Sequence, residues 1–131
     1  GRACAVHFAR EGARLLLCAR RVDVLATLAD DLRSRFNVNV HTLALDVRDR
    51  AAVRSAIDGL PEEWVNIRIL VNNAGLARGL SKVQDGDLDD WDEMIDTNVK
   101  GLLYVTRAIE IRRGRYYTRL AHGCGGLTAA R

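Results

Sequence analysis

Apolar side chains recur along this chain in two alternating periods. In residues 2–10, Val6 and Phe8 stand among the small residues Ala3, Cys4, Ala5 and Ala9. The pattern predicts a short helix that can lie close to a sheet, stopped at Glu11-Gly12 by a glycine suited to a left-handed cap. Leu15-Leu16-Leu17-Cys18-Ala19 is a continuous apolar run, as expected of a strand covered on both faces, and Arg20-Arg21 ends it. From Asp23 to Phe36 the spacing becomes helical through Leu25, Leu28, Ala29, Leu32 and Phe36, and Asn37 to Asn39 break it. Val40 to Leu45 is a second strand, closed by Asp46. Asp49 opens a helix with Val53, Ala56, Ile57 and Leu60 inside, and Pro61 ends it. Ile67 to Val71 reads as a third buried strand, followed at once by Asn72-Asn73-Ala74-Gly75. After a polar loop, an amphipathic helix is expected from Asp89 to Ile109, carrying Trp91, Met94, Ile95, Val99, Leu102 and Leu103. Beyond Ile109 no period survives, and no regular core element is expected there.

Apolar strands alternating with helices imply an α/β fold: a parallel sheet with right-handed crossovers and helices on both faces. In such sheets ligands bind beyond the carboxyl ends of the strands. The positions to inspect are therefore Arg20, Arg21, Asp46, Val47 and Asn72 to Gly75.

The chain has 131 residues, 48% hydrophobic and 28% charged, and a formal net charge of +3. Its longest apolar runs are far too short for a transmembrane helix, and no secretory leader is visible. The charge suggests nucleic acid until it is located. Residues 1–106 carry 14 cationic and 16 acidic side chains, whereas residues 107–131 carry six arginines against Glu110 alone. The basic excess lies in the last segment, so no nucleic-acid partner is expected. Cys4, Cys18 and Cys124 do not suggest a disulfide framework, and Cys4 and Cys18 read as small buried apolar residues. His7, His41 and His122 lack metal-ligand spacing, so no metal is assigned.

Each candidate has a functional and a plainer reading. Gly1 before a small-residue helix fits the last glycine of a phosphate-binding turn, or an arbitrary terminus. Arg20-Arg21 lies where a dinucleotide fold holds the adenosine ribose, and no acid occurs between Leu15 and Val22. Arginine there suits a 2′-phosphate; the alternative is a solvated basic pair. Asp46 could accept from an adenine amino group or simply shape a turn. Asn72 to Gly75 is the sharpest local signal, because amides and a glycine directly after a strand let the backbone approach a cofactor. Asn98, a poor helix former placed mid-helix, is expected on the buried side. It either holds a water near a reaction centre or only distorts the helix.

Together, Gly1-Arg2-Ala3, Arg20-Arg21, Leu45-Asp46-Val47, Asn72-Asn73-Ala74-Gly75 and Asn98-Val99-Lys100-Gly101 resemble the short-chain dehydrogenase/reductase family in order and spacing. Residues 60–77, with Asp90-Trp91 and Met94 to Asn98, resemble its branch of NADP-dependent 3-hydroxy acid (serine-type) dehydrogenases. The resemblance covers residues 1 to about 109. It implies a partial Rossmann-type doubly wound sheet, incomplete at both ends. It also implies NADP as cofactor and hydride exchange with a small alcohol or 3-hydroxy acid, or the carbonyl form. In that scheme Gly1 ends the phosphate turn, and Arg20 and Arg21 contact the 2′-phosphate. Asp46 and Val47 flank adenine, Asn73, Ala74 and Gly75 line the ribose region, and Asn98 is the catalytic asparagine. A cytoplasmic homo-oligomeric parent is implied as well. The family's catalytic Ser and Tyr-x-x-x-Lys are not found: four residues after Tyr116 stands Leu120, and four after Tyr117 stands Ala121. Residues 110–131 are expected to be an irregular, frameshifted or disordered tail, and the chain as given to be inactive. The alternative is a non-catalytic nucleotide-binding or interaction fragment.

Overall fold

The computed structural model describes residues 1–79 and 81–123, with backbone only for 115–123. Two strands, β1 (Leu15–Ala19) and β2 (Val40–Ala44), pair in parallel, Leu15 beside Val40 and Ala19 beside Ala44. Helix α1 (Arg2–Arg10) precedes β1, α2 (Val22–Phe36) connects the strands, and α3 (Arg50–Asp58) follows β2. Successive strand side chains point to opposite faces. Leu15, Leu17 and Val40 meet Ala5 and Ala9 of α1 and Ala29 and Leu32 of α2. Leu16 and Leu43 pack on the other side with Ile57, Leu60 and Ile109. Both faces of the sheet are thus covered by helices, as the unbroken apolar run of β1 requires.

The helix ends follow their sequence signals. Asp49 caps α3, its carboxylate accepting the N–H groups of Ala51 and Ala52 at 2.9 Å each. Asn37 ends α2 in the left-handed region at φ 52°, a conformation asparagine tolerates.

Three expectations are corrected. Ile67 to Val71 forms no strand, and Ile69, Leu70 and Val71 are 64%, 38% and 50% exposed. A buried strand needs a neighbour's N–H and C=O groups along its edges. One edge of β1 is taken by β2, and no described strand lies along the other. The sheet accordingly has two strands among the described residues, not three.

The expected single helix from Asp89 to Ile109 is instead α4 (Leu88–Ile95), a π-helical segment (Asp96–Gly101) and α5 (Leu102–Gly123). Regular structure also continues past Ile109, contrary to expectation. Arg112 donates to the carbonyls of Ile57, Asp58 and Leu60 and so closes the end of α3. Arg113 pairs with Glu110 one turn earlier at 2.9 Å. Polar contacts hold this part of α5, which leaves no apolar period to read. Residues 124–131 of the expected tail, Cys124 included, lie outside the described residues.

Candidate cofactor-side site

β1 and β2 end side by side, with the Leu45 N–H donating to the Ala19 carbonyl at 3.0 Å. The chain leaves β1 as Arg20-Arg21 and β2 as Asp46-Val47-Arg48, so these residues share one sheet end. Arg20 and Arg21 are exposed. Neither side chain has a hydrogen bond or ion pair among the described residues, though Arg20 lies close enough to favour the Asp46 charge. Asp46 folds back on Arg48: Oδ1 accepts the Arg48 backbone N–H at 3.0 Å, and Oδ2 accepts Nη2 at 2.6 Å. The hydrogen bonds from Arg48 hold the Asp46 carboxyl below the usual carboxylate range, against a smaller opposing effect of burial.

The second part of the site follows the expected third strand. The Gly1 nitrogen donates to Asn73 Oδ1 at 2.8 Å, which ties the start of α1 to the Asn72 to Gly75 segment. Asn72 Nδ2 donates to Thr106 Oγ1 on α5 at 3.0 Å. Ala74 and Gly75 are exposed. Asn98 reaches across to the same segment. Its Oδ1 accepts the Leu76 N–H at 2.9 Å, and its Nδ2 donates to the Leu76 carbonyl at 2.8 Å. The expectation that Asn98 is buried is corrected: it is exposed, and Thr97 and Gly101 are the buried residues of the π segment. Ile95, from which the spacing is counted, is itself 48% exposed, and α4 has no fully buried residue, so apolar type at Ile95 does not mark a buried face.

The two parts are joined by Arg48, Arg78 and Glu93, which the sequence did not single out, and by Val47 on Gly101. Glu93 of α4 accepts Arg48 Nη1 at Oε1 (2.9 Å), and its Oε2 forms an ion pair with Arg78 Nε at 2.6 Å. Arg78 also lies 3.8 Å from Asp90. Val47 packs directly on Gly101, where an added Cβ would come 2.7 Å from Val47 Cγ2. A glycine inside a helix is costly unless something must approach it closely, and that was the one available signal. Arg48, Arg78 and Glu93 look in sequence like ordinary surface charges.

Of the residues expected to form a site, Gly1 and Asn73 are in direct contact. Gly75 lies beside Asn98, an added Cβ falling 3.3 Å from its Oδ1. Arg20, Arg21, Asp46 and Val47 gather at the end of the strand pair. A groove of about 500 Å³ lies at the opposite end of the strand pair, lined by residues that include Arg14, Val40, His41 and Trp64. Among the described residues no cluster of His, Cys, Asp or Glu could hold a metal ion, and no helix is long and apolar enough to cross a membrane.

Comparison with known proteins gives the same picture. The family model of short chain dehydrogenases matches residues 1–111. Sulfoacetaldehyde reductase 2 of Chromohalobacter salexigens is 53% identical over 109 residues, which is 83% of this chain and 42% of that protein. The NADP-dependent 3-hydroxy acid dehydrogenase YdfG of Escherichia coli is 45% identical over 103 residues, 79% of this chain and 40% of that one. This chain thus spans about two-fifths of the length of those relatives. The crystal structure of serine dehydrogenase from Escherichia coli matches with a TM-score of 0.75 at 40% identity, covering 88% of this chain and 52% of that one. A closed form of serine dehydrogenase complexed with NADP+ matches with a TM-score of 0.74 at 41% identity, covering 86% and 44%. With the family model spanning the strand pair, both parts of the site and the π segment, the chain belongs to the short-chain dehydrogenase family.

Proposed function

We propose that this chain carries the cofactor-binding part of an NADP(H)-dependent oxidoreductase. Its substrate would be a small alcohol or hydroxy acid, or the corresponding carbonyl compound. The observation that carries the reading is the Arg20-Arg21 pair, exposed and without a side-chain hydrogen bond or ion pair among the described residues, at the end of β1 on the same sheet end as Asp46 and Val47. An acid at that position would repel a 2′-phosphate, whereas guanidinium groups pair with it, bidentately where geometry allows. Relatives named for NADP dependence or solved with NADP+ support the same reading.

The residues present fit such a cofactor. Arg20 and Arg21 would hold the 2′-phosphate, and Asp46 and Val47 would flank the adenine. Asn73, Ala74 and Gly75 would face the second ribose. Gly75 leaves room beside Asn98 that a side chain would fill. When bound, the cofactor supplies the hydride. Asn98 acts through Leu76, fixing the backbone of the segment against which the cofactor would lie. Family chemistry also needs a tyrosine whose proton affinity a lysine lowers, so that it serves as general acid or base. Neither Tyr116 nor Tyr117 has a lysine four residues later. The expected property of the 131-residue chain is therefore cofactor binding without turnover. A cytoplasmic setting and a homo-oligomeric parent belong to the same reading.

The test is a pair of assays on the purified chain: NADPH fluorescence titration, and NADPH oxidation with short aldehydes and keto acids. Saturable binding with no oxidation is the expected result. Robust turnover would refute the inactivity, and absence of binding would refute the cofactor reading. It would favour instead a fragment that works by protein contacts.

A further inference from the structure

Two loops form the cofactor-side surface, and one stretch of helix holds both. The Asp46 to Arg48 loop is attached to it by the Arg48–Glu93 ion pair at 2.9 Å and by Val47 packed on Gly101. The Leu76 to Arg78 loop is attached by the Asn98 pair to Leu76, by Arg78 on Glu93 at 2.6 Å, and by the Arg78 N–H on Met94 Sδ at 3.3 Å. Each loop is thus gripped near residue 93 and again at residues 98–101. Among the described residues, Glu93 is the one side chain that contacts both loops by ion pairs, one carboxylate oxygen to each.

We infer that Glu93 is a positioning residue: its carboxylate fixes the distance between the loop after β2 and the loop after Gly75, and so the span offered to a dinucleotide. Each arginine also has a second partner: Arg48 keeps Asp46 within its own loop, and Arg78 keeps Asp90 of α4. Neutralising Glu93 therefore removes the one side chain that pairs with both loops, while Val47 on Gly101 and Asn98 on Leu76 still hold each loop to the helix. The Glu93 side chain is 21% exposed, against 34% for Arg48 and 52% for Arg78. Its two ion pairs are consequently less screened than ordinary surface pairs. This role rests on the cofactor reading above only for its purpose; the coupling itself belongs to the ligand-free chain.

Glu93→Gln keeps the size of the side chain and removes its charge. Hydrogen exchange on the ligand-free protein is read at the Arg48 and Leu76 amides, one in each loop. Both should exchange about fivefold faster in the variant, while Leu43 in β2 is unchanged. Acceleration of one loop alone, of neither, or of Leu43 to the same extent overturns the inference. Binding is then measured with NADPH, which spans both loops, and with 2′,5′-ADP, which carries only the adenosine half. The variant should lose about fivefold in NADPH affinity and nothing for 2′,5′-ADP. Equal losses, or none, would break the link between the brace and the cofactor. Wild-type protein that binds no NADPH would refute the proposed function, while the exchange data would still decide the role of Glu93.

Discussion

Asn98 and Leu76 form a closed pair, the carboxamide accepting the Leu76 N–H at 2.9 Å and donating to the Leu76 carbonyl at 2.8 Å. A side chain in the π segment thereby pairs both backbone polar groups of Leu76. Asn98→Ala leaves both backbone groups without their partner. At roughly 0.5–1.5 kcal/mol net per hydrogen bond, the loss should be about 1–2 kcal/mol. Asn98→Asp should cost at least as much, because its carboxylate would face the Leu76 carbonyl. Urea unfolding of the two variants checks both magnitude and order; an Asp variant as stable as wild type would contradict the pairing.

Gly101 and Val47 give a steric prediction. An added methyl at residue 101 would meet Val47 Cγ2 at 2.7 Å and Cβ at 3.2 Å. Alanine is the better helix former by about 1 kcal/mol, so an unobstructed helix would gain from Gly101→Ala. Here overpacking of about 1–3 kcal/mol should outweigh that gain. Combining Gly101→Ala with Val47→Ala should recover most of the loss. A stabilised single variant would show that Val47 moves freely.

Arg48 makes acid sensitivity measurable. Asp46 has a lowered folded-state pKa, chiefly through its hydrogen bonds from Arg48. The stability it contributes is fully present above its ordinary value of 3.8 and is lost as pH falls through the lowered one. In Arg48→Met the carboxyl returns toward 3.8. The variant should be less stable than wild type at pH 5, and the gap should narrow below pH 4. Parallel stability curves across this interval would mean that the pair contributes no linkage.

Cys4 and Cys18, expected to be buried, are both exposed as residues, yet burial around the Cys18 sulfur pushes its thiol up to about 11. Its thiolate should be scarce at neutral pH, so alkylation by iodoacetamide at pH 7.5 should be slow and should accelerate steeply toward pH 10. Peptide mapping after timed labelling reads Cys18 separately from Cys4. Rapid modification of Cys18 at pH 7.5 would show that exposure governs its reactivity.

Much of the strand-pair architecture could be read from periodicity, because Leu15 to Ala19 and Val40 to Leu45 are local signals that packing on both faces reinforces. Ile67 to Val71 carries the same apolar signal, but a strand is a property of a pair, and no described neighbour completes it. The π segment escaped because a single inserted residue changes the face presented without changing composition. The continuation of α5 escaped because Arg112 holds it through carbonyls of another helix, a contact made 52 to 55 residues away. In the site, special residue types such as Asn73, Gly75 and Asn98 stood out. Arg48, Arg78 and Glu93 did not, since their role depends on a meeting that only the fold arranges.

We propose that Arg20 and Arg21 select a 2′-phosphorylated dinucleotide. The most direct test is the affinity of the purified chain for NADPH against NADH, at fixed ionic strength, in wild type and in Arg20→Ala/Arg21→Ala. Charge-assisted hydrogen bonds at roughly 1.5–3 kcal/mol each correspond to a wild-type preference for NADPH of at least about tenfold. The double variant should lose that preference while its NADH affinity stays the same. Equal binding of the two cofactors by wild type, or a preference that survives removal of both arginines, would contradict the account.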